Sequence, residues 1–498
     1  MSVPIVRKIR ENMYGSIGIS SLEDQVLSHP AFQRLRRIKQ TAFLSFVFPG
    51  ATHTRFEHSL GVMHIAGKAW RRIEENQSRL QAVCERYQNF SATEKIKVSP
   101  ENHGTLFDVF DKSASIFADE YVYQSLRLAA MLHDVGHPPF SHSGEIFLPS
   151  YAAILQANPR LPCFIRDYFS LMATSDEKTS HEDYTIMIIC QILDDIHSDI
   201  DPQDVVAIIN PNIQPKADSP LQRYKLYLLC HQLVSGELDV DRMDYLKRDS
   251  QEAGVVYGIF DIERILDSLS LYYDHVKGSL HLAIRYSGLA AFEDFLRARQ
   301  SMYFQVYSHK TTVAVDVMLR WVRRKIPDFC LPASVCAYIE IDELNIAHIL
   351  SEFVDKNIDK DDVEHGKIIE TIGNIFFNRK LWKRVFEISN QHDPDPEEIL
   401  SAKNKLEKRK IVFEHIKFCI HLTKFKKREP GEKSKNEIRL IKKDTSQFPR
   451  VLPIEDYSRI ISDETRVFIE RIYVDIDSAD AAFKEDLASG SVFCSLEG

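Results

Sequence analysis

Three short segments of the sequence concentrate histidine and carboxylate side chains, the residue types that bind metal ions and transfer protons. The first is HTRFEHSLGV, residues 53–62, whose helical spacing places His58 on the same face as Val62, Ile65 and Ala69. We therefore expect His58 to point inward. A histidine on an apolar face is more often a hydrogen-bonded core residue than a metal ligand, so this segment alone favours a structural role.

The second segment is LRLAAMLHDVGHPPFSHSGE, residues 126–145. An apolar helix delivers His133, Asp134 and His137 just before a glycine and two prolines end it, so both histidines extend its buried face. A buried carboxylate needs a partner, and either a salt bridge or a divalent cation could satisfy Asp134. With His142, the segment has three histidines and an acid within ten residues. This density favours the cation, since imidazole and carboxylate can bind it together.

The third segment is SGELDVDRMDYLKRDS, residues 235–250. Helical spacing puts Asp241, Tyr245 and Asp249 on one stripe, with arginines beside them. A charge-rich helix is usually a solvated face with i,i+4 ion pairs, and that is the simpler explanation of this segment alone. The tyrosine between two acids is the feature that favours a binding or catalytic role.

Two further segments carry weaker signals. The stretch HEDYT places His181 at the start of an apolar helix, where polar residues commonly interact with the helix dipole. The helix ARQSMYFQVYSHK puts Arg299, Tyr303, Tyr307 and Lys310 on one stripe. Such an aromatic stripe usually packs in a core, although the cations at its two ends also suit a phosphate or ring-stacking site.

The composition excludes several classes of function. A chain of 498 residues is long enough for two or three domains, and its net charge of −9 differs from that of a globally basic nucleic-acid binder. Eight scattered cysteines without a CxxC pair indicate reduced thiols and a cytoplasmic protein. No segment approaches the roughly 20 apolar residues of a membrane span, so we expect no membrane partner. Gly-rich phosphate loops, GxSxG and HExxH motifs are absent from the sequence.

The hydrophobic periodicity predicts a mainly α fold in two parts. Residues 1–325 are dominated by helical patterns, whereas residues 326–498 mix short apolar runs, acidic stretches and a strand pattern at 466–476. We expect a helical core followed by a smaller mixed α/β C-terminal lobe with a basic segment at 403–443 and a loop at 428–436. The predicted helices cover residues 21–38 with an interruption at Pro30, 57–83, 118–134, 181–197, 220–233, 238–250, 261–272 and 287–325.

The sequence around the three segments resembles the HD-domain phosphohydrolase superfamily. The pattern that names the superfamily is matched by His58, the pair His133 and Asp134, and the later Asp241. The longer stretches FQRLRRIKQ, VFPGATHTRFEHSLGV, LHDVGHPPFSH and LDVDRMDYLKRD resemble its deoxynucleoside triphosphate (dNTP) triphosphohydrolase branch, over roughly residues 5–325. The resemblance implies an HD-domain helical core and an enzyme that hydrolyses dNTP substrates at the α-phosphorus, releasing deoxynucleoside and inorganic triphosphate.

Carried onto this sequence, the resemblance implies a role for each candidate residue. The implied metal ligands are His58, His133, Asp134 and Asp241. The residues implied to surround the scissile phosphate are His137, His142, His181 and Glu145, with His142 as the general acid. The residues implied to contact the triphosphate are Arg55, Arg242, Arg299 and Lys310, and those implied to contact the sugar are Gln40, Tyr245, Asp249 and Tyr307.

The implied cofactor is a divalent metal ion, and the nitrogen and oxygen donors leave Mg, Mn, Fe, Zn and Ni open. The resemblance also implies a homo-oligomer, a dimer or a tetramer. Two other functions fit the residues. One is an HD phosphohydrolase acting on another nucleotide or on a nucleic-acid phosphoester. The other is a nucleotide- or nucleic-acid-binding protein with an inactive HD site, in which the basic segment 403–443 binds nucleic acid weakly.

Overall fold

The computed structural model describes residues 4–88, 104–105, 116–175, 177–390, 396–421, 438–443, 449–461 and 466–489. In this part of the chain the architecture is mainly α with a smaller mixed α/β C-terminal lobe, as the sequence predicts. Much of the stretch 78–120, the loop predicted at 428–436 and the middle of the basic segment lie outside the described residues.

The described helices divide at about residue 325. Up to that point they are α1 (Ser21–Ser28), α2 (Pro30–Gln33), α3 (Arg55–Gln88), α4 (Glu120–Leu132), α5 (Tyr151–Ala157), α6 (Cys163–Met172), α7 (His181–Asp195), α8 (Pro202–Ile209), α9 (Leu226–Ser235), α10 (Val240–Glu252), α11 (Ile262–Ser268), α12 (Leu289–Met302) and α13 (Lys310–Lys325). Beyond it they are α14 (Val335–Tyr338), α15 (Ile346–Asn357), α16 (Val363–Gly373), α17 (Pro396–Lys408) and α18 (Ala481–Ala488).

The described strands form three sheets. β1 (Ile5–Glu11) and β2 (Gly15–Ser20) form an antiparallel hairpin. An antiparallel sheet has the order β6 (Lys383–Asn390), β10 (Arg466–Val474), β7 (Phe413–His421), and β10 confirms the strand predicted from the sequence. The third sheet has the order β3 (Gly104–Thr105), β4 (Leu269–Asp274), β5 (Ser279–Arg285), β8 (Arg439–Lys443), β9 (Pro449–Pro453).

The helices that carry the candidate residues begin at side-chain caps and pack around one apolar core. The Asp119 side chain accepts hydrogen bonds from two backbone N–H groups in the first turn of α4, and the Asp239 side chain accepts one from the Arg242 N–H in the first turn of α10. α3 packs against both helices, and its Trp70 is almost completely buried. This packing brings the first turns of α3 and α10 close to the end of α4, so the three predicted segments meet in space.

The helix predicted over residues 261–272 is wrong at its C-terminal end. The helix stops at Ser268, and β4 begins there. Buried Leu269 and Leu271 alternate with serines, which is the period-two pattern of a strand, and β4 pairs with β5 across a turn that contains Gly278 at φ 63°. Residues 269–272 therefore form part of a strand, and not the end of the predicted helix.

The helices predicted over 220–233 and 287–325 are interrupted. Tyr224 and Lys225 adopt positive φ, so the regular helix of the first segment begins only at Leu226. In the second, a wide π turn follows α12, and the extended backbone of His309 separates that turn from α13. The stripe predicted from Arg299 to Lys310 is therefore broken.

The C-terminal lobe shares a sheet with the helical core. β8 pairs in parallel with β5, through Ala283 and Arg439, and β9 extends the same sheet. The division into residues 1–325 and 326–498 stays a prediction, and this pairing means that hydrogen bonds cross it. Among the described residues, every helix is too short or too polar to span a bilayer.

Candidate metal centre and catalytic pocket

Four donor groups from three helical segments converge at the meeting point of α3, α4 and α10. His58 Nε2 lies 3.3 Å from His133 Nε2 and 3.0 Å from Asp241 Oδ1, and His133 Nε2 lies 3.4 Å from that oxygen. The Asp134 carboxylate lies 3.5 Å from His58 Nε2 and 3.4 Å from His133 Nε2. The structure thus brings together all four residues that the sequence analysis proposes as metal ligands.

Hydrogen bonds on the far sides of the two imidazoles fix which nitrogen faces the centre. His58 Nδ1 lies 2.8 Å from Asp244 Oδ2, and His133 Nδ1 lies 2.9 Å from the Ala130 carbonyl oxygen. Because carboxylate and carbonyl oxygens only accept, both Nδ1 atoms carry hydrogen, and both Nε2 atoms face each other and Asp241 Oδ1. Such an arrangement needs a shared cation or proton between the rings, so these donors fit a divalent metal ion.

Charges around the donor set favour ionised carboxylates. Burial raises the pKa of Asp134, but Arg55 and the neighbouring histidines lower it well below its usual range. Burial likewise opposes ionisation of Asp241, and His133 and His58 hold its pKa low. Burial lowers the pKa of His58, whereas Asp241 and Asp244 raise it to about 10. The centre is therefore an electrostatically strong cation site.

A second cluster contains the side chains expected near the scissile phosphate. Glu145 Oε1 lies 3.1 Å from His142 Nδ1 and 2.5 Å from His181 Nδ1, so one oxygen accepts from two imidazoles. The His137 ring stacks on that of His181 at 3.7 Å between centroids. Burial, Arg55 and His181 lower the pKa of His137 well below its usual value, which keeps this ring neutral. His142 is the exposed member of the cluster, with 72% of its side chain accessible.

Both clusters open onto one cavity of about 540 Å³. This volume suits a small-molecule substrate, and polar groups line one wall while aromatic rings line another. The candidate residues that line it are Gln40, Arg55, His133, Asp134, His137, His142, His181, Asp241, Arg242, Tyr245, Asp249 and Tyr307. His58 and Glu145 contact these residues from behind the cavity wall.

The aromatic wall is organised around Asp249. The Tyr307 hydroxyl donates to Asp249 Oδ2 at 2.6 Å, and His53 Nε2 donates to Oδ1 at 2.7 Å. The Tyr245 ring packs edge-on to Tyr307 with centroids 6.2 Å apart. Gln40 Oε1 is buried at the same cavity without a partner among the described residues, so it is available to a ligand hydroxyl.

The cations proposed to contact triphosphate are not equally placed. Arg55 donates to the Asp134 carboxylate and, at 3.2 Å, to Ser141 Oγ. Arg242 is paired with Asp239 at 2.6 Å beside the cavity. Arg299 is 7% exposed, and its Nε and Nη1 have no hydrogen-bond partner in the described chain. Lys310 does not line this cavity and instead lines a second cavity of about 380 Å³ with other cations.

Two residues of the site could not be recognised as site residues from the sequence pattern. His53 orients Asp249, and Asp244 orients His58, but neither is among the candidate residues, although both lie within the segments that were singled out. For Asp244 a signal existed, because it lies one helical turn after Asp241 and therefore on a neighbouring face of α10. No such signal marks His53, because its partner Asp249 lies 196 residues further along the sequence.

No protein-family model matches the chain. An uncharacterised protein of Methanocaldococcus jannaschii is 28% identical over 316 residues, which cover 63% of this chain and 49% of that protein. An HD domain-containing protein of Acanthamoeba polyphaga mimivirus is 26% identical over 397 residues, 76% of this chain and 73% of that one. The deoxynucleoside triphosphate triphosphohydrolase SAMHD1 homologue of Dictyostelium discoideum is 26% identical over 380 residues, which cover 76% of this chain and 60% of that protein.

The chain spans about half the length of the first curated relatives that it matches, 49% and 48%. Solved structures agree with the fold. A hypothetical protein from Aquifex aeolicus aligns over 98% of this chain and 99% of its own, with 22% identity and a TM-score of 0.63. A phosphohydrolase from Bacteroides thetaiotaomicron aligns over 94% of this chain and 99% of its own, with 23% identity and a TM-score of 0.59. These similarities support the HD-domain superfamily, and among its members the chain is similar to proteins named as deoxynucleoside triphosphate triphosphohydrolases.

Proposed function

We propose that the protein is a metal-dependent phosphohydrolase that cleaves dNTP substrates into deoxynucleoside and inorganic triphosphate. The observation that supports this most directly is the single cavity of about 540 Å³ that joins three features. These are a four-donor metal site, a histidine–glutamate cluster, and an aromatic wall with an oriented carboxylate. A substrate with both a phosphate chain and a sugar fits such a combination.

His58, His133, Asp134 and Asp241 are the residues that would hold the metal ion. When bound, a divalent ion polarises a phosphoryl oxygen and lowers the pKa of a water molecule. Arg55 lies beside this set and offers positive charge to the non-bridging phosphate oxygens, where charge accumulates during phosphoryl transfer.

The second cluster supplies proton transfer. Glu145 accepts from Nδ1 of His142, so the Nε2 side of this exposed ring remains available to protonate the departing 5′ oxygen. His181 and His137 border the same space, and the neutral His137 ring can accept a hydrogen bond without adding positive charge.

The aromatic wall supports a sugar-binding role. Asp249 is held by His53 and Tyr307, so its remaining lone pairs have a fixed direction and can accept from a deoxyribose hydroxyl. Tyr245 packs beside it and offers a flat surface to the sugar ring. The Dictyostelium relative is named as a dNTP triphosphohydrolase, and this similarity supports the same substrate class here.

The first experiment compares the wild-type protein with Asp241→Ala after chelation and addition of single metal ions. Incubation with each dNTP should yield inorganic triphosphate only with a divalent metal, and we expect Asp241→Ala to lower the rate by more than about 100-fold. The matched control is Asp361→Ala, which removes an exposed carboxylate that does not line the cavity.

The outcomes separate the competing functions. Failure to release triphosphate with any dNTP and any of the five metals would reject the proposal. Hydrolysis of a nucleoside monophosphate, a cyclic nucleotide or a nucleic-acid end would instead identify an HD phosphohydrolase of another substrate class. A protein inert toward all of these that binds nucleic acid through the basic segment would be the binding protein with an inactive site. Cytoplasmic location and assembly into a homo-oligomer belong to the same proposal.

A further inference from the structure

The metal-facing orientation of His58 depends on a chain of buried charges that leads away from the centre. Asp244 Oδ2 accepts from His58 Nδ1 at 2.8 Å and from Arg248 Nε at 2.8 Å, and Asp244 Oδ1 accepts from Arg248 Nη2 at 3.0 Å. The Asp244 and Arg248 side chains are 0% and 1% exposed. A bidentate pair of this kind holds the carboxylate in one orientation.

This series of buried charged side chains ends at the N-terminal hairpin. Arg248 Nη1 donates to Glu11 Oε1 at 2.7 Å. The other oxygen of Glu11 accepts from the backbone N–H groups of Met13 and Tyr14 at 2.8 and 2.9 Å, so the turn between β1 and β2 fixes this carboxylate. The Arg248 guanidinium also lies 5.9 Å from the centre of the Tyr14 ring. Glu11, Arg248, Asp244 and His58 therefore form one continuous series of charge-assisted hydrogen bonds.

A glycine on α3 makes room for this series. A Cβ atom at Gly61 would lie 1.9 Å from Asp244 Oδ1 and 2.7 Å from Arg248 Nη2. Any larger residue would push the pair away from α3, the helix that carries His58 one turn earlier. The absence of a side chain at Gly61 thus leaves room beside α3 for the Asp244 carboxylate and the Arg248 guanidinium.

We propose that the β1–β2 hairpin is a positioning element of the metal centre, in which Glu11 acts through Arg248 and Asp244 on the orientation of His58. Buried charged side chains are unfavourable unless they are paired, and apolar residues of similar size could fill the same space without that cost. Stability alone therefore does not explain why these residues are charged. What the charged series adds is a fixed Nδ1–H on His58 and hence a fixed Nε2 lone pair at the metal. This inference rests on the metal centre of the proposed function and not on its substrate.

The test measures Co²⁺ binding to the full-length protein, by equilibrium titration and by the visible absorption spectrum of the bound ion. We expect Asp244→Asn to weaken Co²⁺ binding by about 10- to 100-fold and to change the spectrum, because an amide can no longer hold Nδ1–H in the same way. Glu11→Gln, which is nearly isosteric, should weaken binding several-fold and move the spectrum in the same direction. Gly61→Ala should do likewise without removing a charge.

The matched control is Glu252→Gln. Glu252 also joins α10 to the hairpin, by accepting from Asn12 at 2.9 Å on the surface, but it has no contact with the series. The Co²⁺ affinity and absorption spectrum of the Glu252→Gln variant should equal those of the wild type. Equal Co²⁺ affinity and spectrum in wild type and Glu11→Gln would overturn the inference, even if Asp244→Asn proves too unstable to purify. Wild-type protein that hydrolyses no dNTP yet binds Co²⁺ would reject the proposed substrate and leave this test decisive.

Discussion

At the scale of single residues, the cluster of His137, His142, His181 and Glu145 depends on one oxygen atom. Glu145 Oε1 accepts from both His142 and His181, and the two imidazoles consequently turn their Nε2 atoms toward the cavity. Burial raises the pKa of Glu145, but the two histidines lower it from 4.5 to about 2. The carboxylate is therefore ionised at neutral pH.

This pKa predicts an acid-dependent stability. A carboxyl whose pKa is lowered by folding stabilises the native state above its unfolded pKa, and that stabilisation disappears as pH falls toward the folded pKa. Between pH 4.5 and 2 the free energy of unfolding should fall more steeply in wild type than in Glu145→Gln, by roughly 1–3 kcal/mol. Denaturant unfolding at several pH values measures the difference. Glu177→Gln, at an exposed position, is the control, and parallel curves for wild type and Glu145→Gln would contradict the assignment.

Local spacing was sufficient to predict which residues face inward. His58 lies on the buried face of α3, and His133 and Asp134 follow directly after the buried face of α4; their side chains are 0%, 7% and 8% exposed. Spacing could not show that Asp241 lies with them, because its helix is separated from the others by about 100 residues or more, and the resemblance supplied that link. It also could not identify His53, whose role follows from a contact with Asp249 that only the folded chain creates.

At the scale of elements, the turn after α4 is held against the first turn of α7. The Gly136 N–H donates to Thr185 Oγ1 at 3.0 Å, and the Tyr338 hydroxyl donates to the Gly136 carbonyl oxygen at 2.7 Å. A Cβ at Gly136 would lie 2.2 Å from the Thr185 nitrogen and 2.4 Å from the His181 carbonyl oxygen. This close backbone approach is what allows the His137 and His181 rings to stack.

Gly136→Ala should therefore separate the two elements. We expect the substitution to lower the free energy of unfolding by about 1–3 kcal/mol and to reduce hydrolysis even in the molecules that remain folded. The control is Gly366→Ala in α16, where a Cβ meets nothing within 4 Å and should stabilise the helix by about 0.5–1 kcal/mol. Thermal unfolding together with specific activity checks both, and a Gly136→Ala protein as stable and active as wild type would show that the contact is not required.

The element pattern also explains where prediction from sequence failed. Helices with an apolar stripe were predicted because the period of 3.6 is visible within one turn or two. The β4–β5 hairpin was missed because residues 269–272 also continue the apolar pattern of the preceding helix, and the sheet that holds the hairpin is completed by β3 and β8, which lie far away along the chain. The break before α13 was missed because neither proline nor glycine marks it, and His309 instead uses its own Nδ1 to cap the new helix at 3.2 Å from the Thr311 nitrogen.

At the scale of the whole molecule, the β5–β8 pairing joins the helical core to the C-terminal lobe. Leu440 of β8 is fully buried in the same apolar cluster as residues of α3 and α4. If the two parts share one core, they should unfold together rather than in sequence.

Leu440→Ala tests this cooperativity. We expect a loss of about 2–5 kcal/mol and a single calorimetric transition shifted to lower temperature. Leu400→Ala, at a position that is 53% exposed, should leave the transition within error of wild type. A separate transition for the helical core that Leu440→Ala does not move would mean that residues 1–325 unfold as an independent domain.

The late position of β8 in the sequence has a consequence for biosynthesis. β5 is almost fully buried in the native fold, but after it leaves the ribosome its parallel partner follows only when Arg439 has been translated. At a translation rate of roughly 5–20 residues per second, the nascent chain exposes an apolar strand edge for on the order of ten seconds. Messages that end early, before β8 is made, would produce a chain whose open edge can pair with other chains.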